Sequence, residues 1–393
     1  MTEIHAIQAW LQAHRAEYLD DLQALVDVDC GTANKAGVDA VGALFRDRLR
    51  AADFELTEFP LTDYGDCCLA TVRGTGQARI LLLGHLDTVY PDGTVAERPM
   101  RFEGRRILGP GVSDMKAGLL TGLYAVRALQ HIGFCDFARI DFFVNTEEEV
   151  GSHVSRQIYR PVAQQVDAAL VLEAARASGD IVSARKGGGV YHVTVHGRQA
   201  HAGVEPEKGA NAIVELAGCI RTLTKLNGLN PGTTVNVGVI GGGTRSNVVP
   251  DQAWADVDVR FSTAEDGRAL DREIRRVETH PGVAGTRVAV AGGIEKGPME
   301  KTAAVTCLVD LLQGVAAQLE ISLNDVQTGG NSDGNHMGEL GIPVLDGLGP
   351  IGGDDHSPAE YLDADSIVPR TALLAGLIVA IATGREKLAA IEN

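Results

Sequence analysis

R-I-L-L-L-G-H-L-D-T-V, residues 79–89, is an unbroken apolar run that stops at a histidine and, two residues later, an aspartate. Such a run predicts a strand buried on both faces. It puts His85 and Asp87 just past the carboxyl end, where open α/β sheets keep their ligand sites, and the two-residue period of an extended chain turns both to one side. The Asp87 carboxylate could there fix the tautomer and ring angle of His85, as acids do behind metal-bound imidazoles. A loop histidine bonded to its neighbour would read the same way.

Upstream of this strand, Ile4, Ile7, Leu11, Tyr18, Leu22 and Leu25 recur at helical spacing, a second amphipathic stretch covers 38–49, and a short strand covers 68–72. Downstream, a long loop with Pro91, Pro99 and the turn-like E-G-R-R of 103–106 closes on G-P-G-V-S-D-M-K. Ser113 or Asp114 is placed there to cap a helix whose apolar face is Leu119, Leu120, Leu123, Val126 and Leu129. Strands at 140–144 and 168–172 lead into N-T-E-E-E-V-G-S and Glu173, so strand ends again carry acids.

From about Lys186 the texture changes to strict alternation in Y-H-V-T-V-H, then a helix at 210–223, strands at 234–240 and 253–261, a helix at 264–277 and a strand near Val288. The order β-α-β-β-α-β is the split βαβ pattern of a ferredoxin-like α+β domain. After Gly293 the first texture returns, with a helix at 303–319, a buried strand at 343–345 and a last helix after Ser366. The reading is one α/β domain, 1–185 and 294–393, interrupted by an insertion at 186–293.

The chain has 393 residues, 45% hydrophobic and 22% charged, enough for roughly two domains with proper cores. A net charge of −17 argues against nucleic acid or an anionic membrane as a partner, since either needs a basic face. Six cysteines without C-x-x-C spacing suit a reduced cytoplasm. The start, M-T-E-I-H-A-I-Q-A-W, lacks a secretory pattern, and the apolar stretch at 372–382 reads as a buried helix too short to span a bilayer. The Gly-Gly clusters lack the Lys-Ser/Thr of a phosphate loop and read as turns and hinges.

Five acceptor side chains each follow a strand or open a helix: His85, Asp114, Glu149, Glu173 and His356. Two imidazoles and three carboxylates suit zinc, and a shared carboxylate could bridge two ions. Singly, each would pass as a loop acid or a solvated histidine. The run Glu147-Glu148-Glu149 lets one acid hold an ion while its neighbour takes a proton from water. Arg260 ends a strand in which Trp254, Asp256, Asp258 and Arg260 share a face, so it could pair with either aspartate.

Taken together, H-L-D-T-V at 85–89, G-V-S-D-M-K at 111–116, N-T-E-E-E-V-G-S at 145–152, Glu173, G-R-Q-A-H-A-G at 197–203 and His356 resemble the zinc-dependent peptidase and deacylase family of glutamate carboxypeptidase, acetylornithine deacetylase, succinyl-diaminopimelate desuccinylase and aminoacylase. The resemblance spans nearly the whole chain. It implies a catalytic domain with a central mixed sheet flanked by helices, and an inserted lid that also dimerises. It further implies two zinc ions per subunit, with cobalt or manganese able to replace them. Asp114 would bridge them, with His85 and Glu173 on one, Glu149 and His356 on the other, Glu148 as the unligated proton carrier, and Asp114–Met115 joined by a cis peptide. In dimeric members the lid histidine, here His201, reaches the partner's site to stabilise the oxyanion. Asn247 is carried over as a lid contact to substrate and Arg260 as a clamp on its carboxylate. The substrate expected is a small peptide or N-acyl amino acid. The first reading is a glutamate carboxypeptidase-like exopeptidase, and the alternative is an N-acyl-amino-acid deacylase of acetylornithine deacetylase type. One departure stands out: where glutamate-specific relatives carry a basic residue at the end of the lid, this chain has A-G-G-I-E-K at 291–296, with only Lys296 nearby.

Overall fold

The computed structural model describes residues 3–279 and 281–389. The chain forms two compact units, the first running to Ser183 and including Lys301–Gln327 and everything from Ser332, the second comprising Ala184–Glu300 and Thr328–Asn331.

In the first unit the run at 79–89 forms the strand Arg79–His85, buried throughout except at its first residue. It lies near the centre of a six-stranded mixed sheet, flanked by Arg139–Asn145 and Ala168–Val171, both parallel to it. Three parallel neighbours deliver their carboxyl ends to one edge, so the residues after His85, Asn145 and Val171 must converge there. The next strand out, Val344–Leu345, is also parallel, whereas Cys67–Arg73 and Glu55–Phe59 close the other side antiparallel. Alternation divides the sheet between two faces. Ile80, Leu82, Ile140, Phe142, Ala168 and Leu170 enter the main core with the helices Lys35–Ala51, Ala117–His131, Ala303–Gln318 and Ile367–Ala389. Leu81, Leu83, Phe143 and Val171 are buried on the other face, where Tyr159 meets Phe143 edge-on with ring centroids 5.2 Å apart.

Two expectations are corrected. The helical spacing from Ile4 to Leu25 belongs to two helices, Glu3–Ala13 and Arg15–Val26, parted at His14. The C-terminal helix is longer than the stretch at 372–382: Ile367–Gly384 is long and apolar enough to cross a membrane by length and composition. Two-thirds of that segment (67%) is instead buried within the protein, as the core helix of a folded domain requires.

The second unit has the strands Gly187–His196, Thr234–Gly242, Gln252–Phe261 and Arg287–Lys296 with the helices Ala212–Thr224 and Ala264–Arg275. They make one antiparallel sheet in which the second strand pairs with the third, the third with the first, and the first with the fourth. Tyr191, Val193, Val195, Ala253, Ala255, Val257 and Val259 form the inward face of its own core, with Leu216, Leu223, Leu270 and Ile274 from the helices.

Candidate metal centre

His85 is the last residue of its strand and is 1% exposed. Its Nδ1 lies 2.9 Å from the backbone carbonyl of Asp87 and 3.4 Å from Asp87 Oδ1. A donor at Nδ1 leaves Nε2 as the ligating nitrogen, aimed away from the strand. The Asp87 carboxylate has a wider task than orienting the ring. It accepts from Thr32 Oγ1 at 2.7 Å and from the backbone amides of Glu148 and Glu149 at 3.1 and 3.2 Å, tying the acidic run to the end of the neighbouring strand.

The glutamates of that run have three different surroundings. Glu147 is fully buried, and its Oε1 accepts from the amides of Val154 and Ser155 at 2.6 and 2.7 Å, capping the helix Ser155–Ala163. Glu149 Oε2 lies 3.2 Å from His356 Nε2. A carboxylate oxygen of Glu148 lies within 4.8 Å of ligating atoms of His85 and Glu173. The helical cap at Glu147 was not readable from the run itself, since its partners lie seven and eight residues further on, beyond the turn at Gly151.

Asp114 stands at the centre. Its Oδ1 is 3.1 Å from His85 Nε2 and its Oδ2 is 3.0 Å from His356 Nε2, so each oxygen faces a different imidazole. Glu173 Oε1 lies 3.7 Å from His85 Nε2 on one side, and Glu149 sits beside His356 on the other. The expectation that Ser113 or Asp114 caps the following helix is wrong. Val112–Lys116 forms a separate turn, with a cis peptide at Asp114–Met115, and Lys116 precedes the helix without a side-chain cap. Glu360 holds this turn: its buried carboxylate accepts from the amides of Gly111, Ser113 and Asp114 at 2.9, 2.8 and 3.1 Å. Sequence reasoning missed Glu360, although it lies only four residues beyond His356.

His356 itself occupies the left-handed region at φ 60° and is exposed at the end of a glycine-rich loop. Arg370 holds that loop, donating to the carbonyls of Gly347 and Gly349 at 2.6 and 3.0 Å, while the Gly349 amide donates to the Glu173 carbonyl at 2.8 Å.

Electrostatically the cluster is crowded with carboxylates. Burial, joined by the charges of Asp114, Asp87 and Glu148 and opposed by His85, pushes Glu149 up to about 8, and burial with the Asp114 charge raises Glu173 well above the ordinary range. The bond to Asp114 raises His356 to about 9 against the effect of burial. For Asp114, burial opposes ionisation, but the two imidazoles hold it well below the usual carboxylate range. Donors sharing one tetrahedral ion at about 2.1 Å lie about 3.4 Å apart, and the separations here of 3.0 to 3.7 Å bracket that value. Two imidazoles, two flanking carboxylates and a central one with its oxygens split between them fit a pair of divalent cations, which would also offset the mutual repulsion.

His201, Asn247 and Arg260 belong to the second unit. There the His201 and Asn247 segments are neighbours: the Ala202 amide donates to the Asn247 carbonyl at 3.0 Å, and His201 bridges Val248. Both side chains are exposed. Arg260 is partly exposed, and its Nη2 donates to Asp258 Oδ2 at 3.0 Å, the same-face ion pair anticipated from the alternation.

Residues 183–285 match the peptidase dimerisation domain, and residues 68–211 match peptidase family M28. Carboxypeptidase G2 of Pseudomonas sp. (strain RS-16) is 30% identical over 374 residues, covering 93% of this chain and 89% of that protein. Succinyl-diaminopimelate desuccinylase of Ralstonia nicotianae is 28% identical over 322 residues, 75% of this chain and 80% of that one. Among solved structures, aminopeptidase PepT from Bacillus cereus superimposes with a TM-score of 0.81 at 23% identity, over 94% of this chain and 99% of that one. The Bacillus subtilis YXEP protein, described as a dinuclear metal-binding peptidase, gives 0.73 at 15% identity, over 95% and 99%.

Proposed function

The chain belongs to the M20 family of metallopeptidases and deacylases, and from that premise we propose that it is a co-catalytic zinc hydrolase that cleaves a small amide to release an amino acid with a free carboxylate. The observation that carries the reading is the division of Asp114 between His85 and His356, with Glu148 beside the cluster. In this reading His85, Asp114 and Glu173 hold one ion, and Asp114, Glu149 and His356 the other. A bound metal pair acidifies water and polarises a carbonyl.

The remaining steps belong to the protein's own groups. Glu148 takes one proton from the attacking water as the new C–O bond forms, and delivers it to the amide nitrogen as the C–N bond breaks. Asp87 positions both His85 and the amides of Glu148 and Glu149, so it acts through other residues. His201 is assigned to the oxyanion of a partner subunit, a reading supported by the match to a peptidase dimerisation domain. Asn247 is assigned to a polar contact with substrate.

The likeness to carboxypeptidase G2 favours a glutamate carboxypeptidase-like exopeptidase, while the likeness to succinyl-diaminopimelate desuccinylase keeps an N-acyl-amino-acid deacylase as the second reading. Turnover of N-acyl amino acids measured against dipeptides and folate-like conjugates separates them. In both, Arg260 exchanges Asp258 for the carboxylate of the substrate. Such a charge-assisted contact is worth about 1.5 to 3 kcal/mol, or roughly ten- to a hundred-fold. Arg260→Ala is therefore expected to lower kcat/KM by that order on free acids. It should also abolish most of the wild-type preference for a free carboxylate over its amide. An undiminished preference in the mutant would leave Arg260 as a partner of Asp258 only and reject the clamp.

A further inference from the structure

We propose that the first unit carries a second ligand site, a pocket for one compact dianionic oxyanion such as phosphate, between the helices Ser155–Ala163 and Asp333–Glu339. A cavity of about 350 Å³ opens there, lined by Arg156, Tyr159, Arg160, His336 and Glu339 among others. Arg156 and Arg160 are four residues apart on one helix, so both guanidinium groups serve the same face. Among the described residues neither forms an ion pair.

His336 is the second, independent feature. It is 3% exposed, lines the cavity, and neither ring nitrogen has a hydrogen-bond partner. The nearest carboxylate oxygen, Glu339 Oε2, is 3.6 Å from Nδ1, too far for a hydrogen bond. Leaving a buried polar group unpaired is costly, and buried polar groups in native proteins are nearly always satisfied. A partner entering from the cavity that His336 lines would satisfy the ring. The Tyr159 hydroxyl, which donates to Asp333 at 3.1 Å, does not reach either ring nitrogen. Two forked guanidinium groups and an imidazole form a donor set suited to a tetrahedral oxyanion. Glu339 at the same pocket offsets part of the positive charge, which favours one compact anion over an extended polyanion.

The test is a titration of metal-loaded protein, labelled with ¹⁵N in its histidines, with inorganic phosphate, following the His336 imidazole resonance assigned by its loss in His336→Gln. Saturable movement is expected in the wild type, with the midpoint raised roughly tenfold or more in Arg156→Gln/Arg160→Gln. Phosphate meeting the metal centre would move other histidine resonances, and would do so equally in both proteins. If the His336 signal does not saturate, water alone completes the ring and the proposal fails. It fails equally if the midpoint is unchanged in the double variant.

Discussion

Protonation is where the individual residues of the cluster reveal its purpose. In the metal-free protein the bond to Asp114 lifts His356 to about 9, and burial lifts Glu149 to about 8. Both folded values exceed the ordinary ones, near 6.5 for histidine and 4.3 for glutamate. Each group therefore contributes stability that is complete below its ordinary pKa and is lost as pH rises through its folded value. Cation binding needs the deprotonated forms and strengthens over the same window. Calorimetry from pH 6 to 8.5 should show the unfolding temperature of metal-stripped protein falling. The gap between metal-loaded and stripped protein should widen, with protons released on loading. A gap that stays constant or narrows would mean that these two groups do not hold the metal.

At the scale of elements, the site depends on how closely the helix Ala117–His131 approaches the end of the strand Ala168–Val171. A Cβ on Gly118 would stand 1.9 Å from the Leu172 carbonyl oxygen, next to Glu173 and four residues from Asp114. Backbone cannot yield cheaply there, so Gly118→Ala should cost about 1 to 3 kcal/mol or more and weaken metal binding by moving Asp114 and Glu173 apart. Gly314, in the exposed face of another helix with nothing within 4 Å of a built Cβ, is the matched control. Its change to alanine should be neutral or slightly stabilising. Denaturation midpoints and metal titrations of the two variants check this, and equal behaviour would contradict the packing argument.

The elements also show what local sequence can and cannot convey. The strands ending at His85, Asn145 and Val171 were legible because each is a mostly apolar stretch that runs into polar or acidic residues, and the alternation of 191–196 and 253–261 announced the second sheet. The short hairpin of Arg101–Glu103 and Arg106–Leu108, its partners Gly352–Gly353 and Tyr361–Asp363, and the helix Asp333–Glu339 are too brief to show a period. Glu360 was missed for a different reason. Its partners lie 246 to 249 residues earlier in sequence, and no local spacing encodes a long-range acceptor. The expected cap at Ser113 or Asp114 does not form. Asp114 instead keeps both carboxylate oxygens for the imidazoles.

For the whole molecule, the dimer reading makes activity a property of two chains. His201→Ala and Glu148→Gln homodimers should each be nearly inactive. Subunit exchange between them should restore one of the two sites in each mixed dimer, because that site receives its own Glu148 and the partner's His201. Mixed dimers verified by mass that remain inactive would show that His201 does not act across subunits.

The cluster is expected to hold two ions while Glu148 moves the proton. This is tested most directly by measuring metal content and turnover together in Glu148→Gln. The substitution preserves shape and leaves His85, Asp114, Glu149, Glu173 and His356 intact, so two ions per subunit should remain. Removing the proton acceptor should lower kcat by about 10²- to 10⁴-fold. Wild-type metal content with kcat barely changed would mean that Glu148 does not move the proton.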